Sequence, residues 1–164
     1  MRYKFDHPPL LAPGRHYMTL PQVERLCVQA FDYRPSRQAL FVNLERFVQD
    51  FLIAKVPCEI WVDGSFITEK PDRLDVDVVA MLDADVADNL TSAQRKLVDA
   101  ANEPDYLPGI DSFVDTLYPH GHPMILDDDR TWGEQYGLEN GDQWLKGFAV
   151  LRLWETDVGL RIRS

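Results

Sequence analysis

Apolar residues along this chain recur first with a helical period and later with a period of two. Leu20, Val23, Leu26, Cys27 and Ala30 fall on one face of a helix from Leu20 to Phe31, and Pro21 suits its first turn. Pro35 opens a longer helix in which Leu40, Leu44, Phe47, Val48, Phe51 and Leu52 share a face. Arg37, Glu45, Arg46, Gln49 and Asp50 are expected on its opposite, polar side, and Pro57 stops it. Ahead of both helices, residues 1–13 read as an irregular, proline-containing lead-in without the apolar segment of a secretory signal.

The period then changes. Glu59 to Val62 predicts a short strand, broken at Gly64. Leu74, Val76, Val78, Val79 and Met81 predict a second strand with Asp75 and Asp77 interleaved at period two. Residues 84–101 read as helical, starting in earnest near Thr91 or Ser92. Gly109 to Leu117 predicts a third strand with Asp111, Phe113, Asp115 and Leu117 on one face, Pro119 to Pro123 a turn, and Gly147 to Trp154 a last strand. The expected fold is α+β, a small mixed β-sheet flanked by helices, in one domain over residues 1–164 with the lead-in and helical pair occupying 1–56.

Composition narrows the class. The chain is 45% hydrophobic and 27% charged, which excludes a disordered or fibrous class. No run approaches the apolar length of a membrane span. Cys27 and Cys58 sit in separate apolar patterns and read as buried, inert thiols of a cytoplasmic protein. A formal net charge of −10 disfavours non-specific nucleic-acid binding, whereas a site holding cations would still accept a triphosphate.

The stretch from Trp61 to Val79 carries the candidate chemistry. Asp75 and Asp77, two residues apart on a strand, present both carboxylates to one face, roughly 6.5 to 7 Å apart. With a third carboxylate from a neighbouring strand they would grip two magnesium ions about 3.5 to 4 Å apart. Asp115 fits the third position best. Asp111 is the rival, although its place just after Pro108 and Gly109 suits a strand start. Gly64 lets backbone approach a phosphate, and Ser65 adds a hydroxyl and the start of a helical turn. Lys70 and Arg73 in the connecting loop either reach a phosphate or face water. Asp63 is expected to point away from the open side of Gly64 and to hold the loop. His120 and His122 flank a turn without a further histidine or cysteine to complete a zinc set. Trp132, Tyr136, Trp144 and Trp154 read as packing residues, and Asp127 to Arg130 as a solvated face or helix start.

Gly64-Ser65, a spacer of about ten residues, then Asp75-Val76-Asp77 resembles the signature of the DNA polymerase beta-type nucleotidyltransferase superfamily. More narrowly the chain resembles the DUF6932 family of small bacterial proteins of that fold. The similarity lies in residues 61–68, 75–79 and 146–150, in Pro13-Gly14-Arg15-His16 and in the helix from Ser36 to Leu52. The resemblance implies a nucleotidyltransferase-type sheet, two Mg2+ ions and a nucleoside triphosphate as substrate. Asp75, Asp77 and Asp115 would bind metal, with Gly64, Ser65, Lys70 and Arg73 at the nucleotide. It leaves the acceptor open, and at this length it favours a protein partner, a homodimer or a small acceptor over a large polymer. The alternative it allows is a weak or inactive nucleotide- or protein-binding module, of the kind found in toxin–antitoxin or phage-defence systems.

The charge balance gives a first test. In a salt-controlled titration without magnesium, random duplex DNA is expected to bind more weakly than micromolar at physiological salt.

Overall fold

The structure, a computed structural model, describes residues 7–32, 34–71, 75–117 and 147–153. Strand β1 (Gly14–Tyr17) leads into helix α1 (Leu20–Glu24), which continues as a π-helical segment, Arg25–Gln29. Helix α2 (Pro35–Ile53), strand β2 (Glu59–Asp63), a single 3-10 turn (Ser65–Ile67) and strand β3 (Val76–Asp83) follow. Then come α3 (Ala84–Asp88), α4 (Ser92–Ala101), β4 (Ile110–Leu117) and β5 (Gly147–Arg152). The result is a mixed α/β fold built on a five-stranded sheet ordered β1-β5-β2-β3-β4. Strands β1/β5 and β3/β4 are parallel, and β2 runs antiparallel to both of its neighbours.

Helix ends follow local chemistry. Thr19 caps α1 and Thr91 caps α4, each through a reciprocal capping box with the glutamine three residues on. Gln94 also donates to the carbonyls of Ala54 and Lys55, so one side chain closes the start of α4 and the end of α2. The expected helix over 84–101 is two helices, parted at Asn89 to Thr91, where the Thr91 cap begins a new first turn. Strand β1 went unanticipated, because Gly14-Arg15-His16-Tyr17 has no apolar alternation and is an edge strand.

The sheet separates two apolar clusters. Ile60, Val62, Val76, Val78, Ala80, Leu82, Ala149 and Leu151 pack with residues of α1, the π segment and α2. Trp61, Val79, Met81, Phe148 and Val150 form the second cluster on the other face, with Phe113 and Leu117 against it. Among the described residues no helix is long and apolar enough to cross a membrane. The turn over 119–123, both histidines there, residues 127–130 and the aromatic positions 132, 136, 144 and 154 lie outside the described residues.

Arg37 departs from the periodicity. Expected on the polar side of α2, it is 1% exposed. Its Nη1 donates to the carbonyls of Cys27 at 2.9 Å and Phe66 at 2.8 Å. Its Nη2 donates to those of Thr68 and Lys70, each at 2.7 Å. Its Cζ stacks 3.7 Å from the Phe31 ring centroid. Burial lowers the guanidinium's pKa from the ordinary arginine value.

Arg37→Met keeps most of the stem volume and leaves all four carbonyls without that donor. At about 1–3 kcal/mol for each buried group left unsatisfied, the expected loss is at least ~3 kcal/mol by urea denaturation. Arg37→Lys should recover only part of it, since an ammonium has three donors on one centre.

Candidate functional site

Strand β2 ends at Asp63, and Gly64 then turns the chain with φ +83° and ψ −166°, a region open essentially to glycine. A Cβ at Gly64 would lie 2.5 Å from Asp77 Oδ2 and 3.0 Å from its Cγ. The missing side chain is therefore the space that the Asp77 carboxylate fills. Ser65 opens the 3-10 turn, and its hydroxyl faces the Asp75 carbonyl in a long contact of 3.5 Å. The turn is tied back by Thr68 Oγ1 donating to the Ser65 carbonyl at 2.7 Å. Three residues are too few to develop a helix dipole, so a phosphate here would rely on backbone N–H groups and the hydroxyl.

The sheet register arranges the carboxylates. Asp63 is the partner of Asp77, and Asp77 is the partner of Asp111. The three stand in one lateral row on the sheet face of the Trp61 cluster, spanning about 10 Å at ordinary strand spacing. Their exposure is graded: Asp63 is 5% exposed, Asp77 half-buried and Asp111 exposed. Asp75 lies just ahead of β3 and is exposed, so Asp77 is the deeper of the pair.

The strand register sets Asp111, rather than the expected Asp115, beside Asp77. Asp115 pairs with Met81, four residues beyond Asp77 and about 13 Å along the strand. Asp111 takes the lateral position instead. It is fixed by Gly109, whose φ of +73° and lack of a Cβ let it press against Leu40 of α2. Asn43 donates to the Pro108 carbonyl at 2.8 Å, and Ser112 Oγ to the Ala101 carbonyl at 2.8 Å. Lys70 is half-buried, and its main chain is engaged by Arg37 and Thr68. Arg73 lies outside the described residues. Asp63, expected to face away, shares the face of Asp77. Extending β2 by one residue in the alternation Glu59, Trp61, Asp63 would have found it.

The donors at this corner are all oxygen, which suits hard cations such as magnesium rather than zinc. Both described cysteines are buried in the core, where desolvation raises the Cys58 thiol and pushes that of Cys27 up to about 12. Among the described residues, no three His, Cys, Asp or Glu side chains surround a common ion position. A cation would have to draw the carboxylates together.

Residues 3–152 match a family described as a family of unknown function, DUF6932, and the chain belongs to it. No curated protein and no solved structure matches the chain.

The packing of Gly64 gives a clear expectation. Gly64→Ala should cost about 1–3 kcal/mol from backbone strain alone, and more from the clash with Asp77. Combined with Asp77→Ala, the added cost of the clash should vanish while the strain persists. A double-mutant cycle by thermal or urea unfolding reads the difference.

Proposed function

We propose that this member of the DUF6932 family carries a nucleotidyltransferase-type site and transfers a nucleoside monophosphate from a nucleoside triphosphate to a hydroxyl acceptor. The observation that carries the reading is the seating of the Asp77 carboxylate against Gly64, with Ser65 beside Asp75. The glycine turn and the Asp77 carboxylate thus meet at one corner, with the Ser65 hydroxyl against the Asp75 main chain.

The residues divide the work by position. Gly64 and Ser65 offer close backbone approach and a hydroxyl to the phosphates. Asp75 and Asp77, with Asp111 at the lateral position, would hold the magnesium ions, which supply charge neutralisation at the phosphates when bound. Asp111 is exposed at the rim of the row, where an incoming hydroxyl would meet it. The acceptor oxygen bonds to the α-phosphorus as the bond from that phosphorus to the bridging oxygen breaks. Pyrophosphate departs with the electron pair, and the acceptor proton passes to the Asp111 carboxylate. Placement of the reactants and charge stabilisation carry this chemistry, with no covalent enzyme intermediate.

A second reading is favoured by one observation: no three carboxylates among the described residues converge as they stand. On that reading the domain binds a nucleotide, or a protein, without turnover.

Incubation with each labelled nucleoside triphosphate, magnesium and cell extract separates the two. Label appearing on protein, RNA or a small molecule supports transfer. Magnesium-dependent nucleotide binding without any labelled product supports the binding module. Asp77→Asn preserves shape and removes the charge, so transfer should fall at least about 100-fold. The rise in melting temperature that magnesium and nucleotide give the wild type should shrink markedly. Equal shifts with transfer retained would remove Asp77 from the site.

A further inference from the structure

Arg15 lies on the edge strand β1, and its guanidinium carbon sits 4.8 Å from the centroid of the Trp61 ring. Arg15 is exposed, whereas the indole beneath it is 1% exposed, so the cation is seated on a fixed aromatic floor. The chain holds 27 acidic residues, yet Arg15 makes no ion pair or side-chain hydrogen bond among the described residues. None of the described residues engages its planar fork of donors, which suits a bidentate anion.

Its backbone stands in line with the acidic row. Arg15 is the partner of Phe148, and Val62 is the partner of Ala149, so continuing that register by one residue sets Phe148 beside Asp63. Arg15, Phe148, Asp63, Asp77 and Asp111 therefore follow one line across the sheet on one face. The side chain leans over Trp61, which stands two residues from Asp63 on β2, about 7 Å along the strand. The guanidinium is thus about one pleat from Asp63, the nearest carboxylate of the row.

We infer that Arg15 grips the β- and γ-phosphates of the nucleoside triphosphate and holds the pyrophosphate as it leaves. The inference rests on the transfer reading and adds a direction to it. The leaving group lies toward β5 and β1, and the acceptor approaches over β4 from the Asp111 side. A phosphate's charge and geometry match the bidentate guanidinium fork, and the stack on Trp61 limits the entropy lost on binding.

The test is calorimetric titration of the full chain with magnesium pyrophosphate. Wild type is compared with Arg15→Ala and Arg15→Lys, with thermal melts confirming that each is folded. Loss of the stack on Trp61 should lower melting only slightly and leave both variants folded. Pyrophosphate affinity should fall about tenfold or more in Arg15→Ala, the size expected for a charge-assisted pair. Arg15→Lys should recover part of it. Equal affinities in wild type and Arg15→Ala, or no pyrophosphate binding by wild type, would overturn the inference. Asp77→Asn keeps its failure apart from that of the transfer reading. If Asp77→Asn abolishes metal-dependent transfer while Arg15→Ala changes nothing, the site stands and this role for Arg15 falls. If pyrophosphate binding depends on Arg15 while Asp77→Asn retains full transfer, the anion subsite stands and the assignment of the carboxylates falls.

Discussion

A buried guanidinium must find acceptors, and the shape of the loop beside the carboxylates follows from how Arg37 finds them. Three of its four carbonyl partners, those of Phe66, Thr68 and Lys70, lie in the segment just after Gly64 and Ser65. The fourth, that of Cys27, belongs to the π-helical segment. There the Ala30 N–H bonds to the Arg25 carbonyl and the Phe31 N–H to that of Val28, so the widened turn leaves the Cys27 carbonyl for Arg37. One side chain therefore fastens α2, the end of the first helix and the loop that positions Ser65. The π segment, Phe31 and Arg37 form a single unit whose product is a fixed turn at the end of β2.

The acidic row depends on that unit and on a second constraint, the pleat. Successive side chains alternate across the sheet, so a strand that buries Val76, Val78 and Ala80 against the helices must present Asp77, Val79 and Met81 to the other face. The carboxylates are thus placed on the face opposite the described helices, at the end of the sheet where β2 finishes and β4 begins. Adjacent like charges in a sheet repel, and the row keeps its outer member exposed to solvent. Its inner members lie where the dielectric is lower, so an approaching cation is felt most strongly at Asp77 and Asp63.

Much of this was legible in the chain. The period-two run from Val76, the break at Gly64 and the capping residues of α4 each have a local physical cause, and each appears close to its expected place. What was not legible depended on pairing between distant segments. Nothing near Asp115 or Asp111 says which lies beside Asp77, because that choice is the register of β3 against β4, set in part by Gly109 meeting Leu40. Arg37 looked solvent-facing because its neighbours on the helix surface are polar, and only the returning loop supplies its acceptors. Strand β1 has no apolar pattern to announce it and exists through its partner β5.

That pairing has a consequence for how the chain is made. Strand β5, the last described strand in sequence, is inserted between β1 and β2, so Gly14 waits for Gly147 and Ile60 for Leu151. During synthesis the sheet cannot close until β5 has left the ribosome. Until then one edge of β2 stands open. Such long-range closure makes folding slow and leaves the nascent chain reliant on chaperones or on rapid completion. The same arrangement makes foldedness a report that β5 has been made. A message truncated before β5 yields a chain with neither an anchored first strand nor a finished sheet, and cellular proteases would clear it.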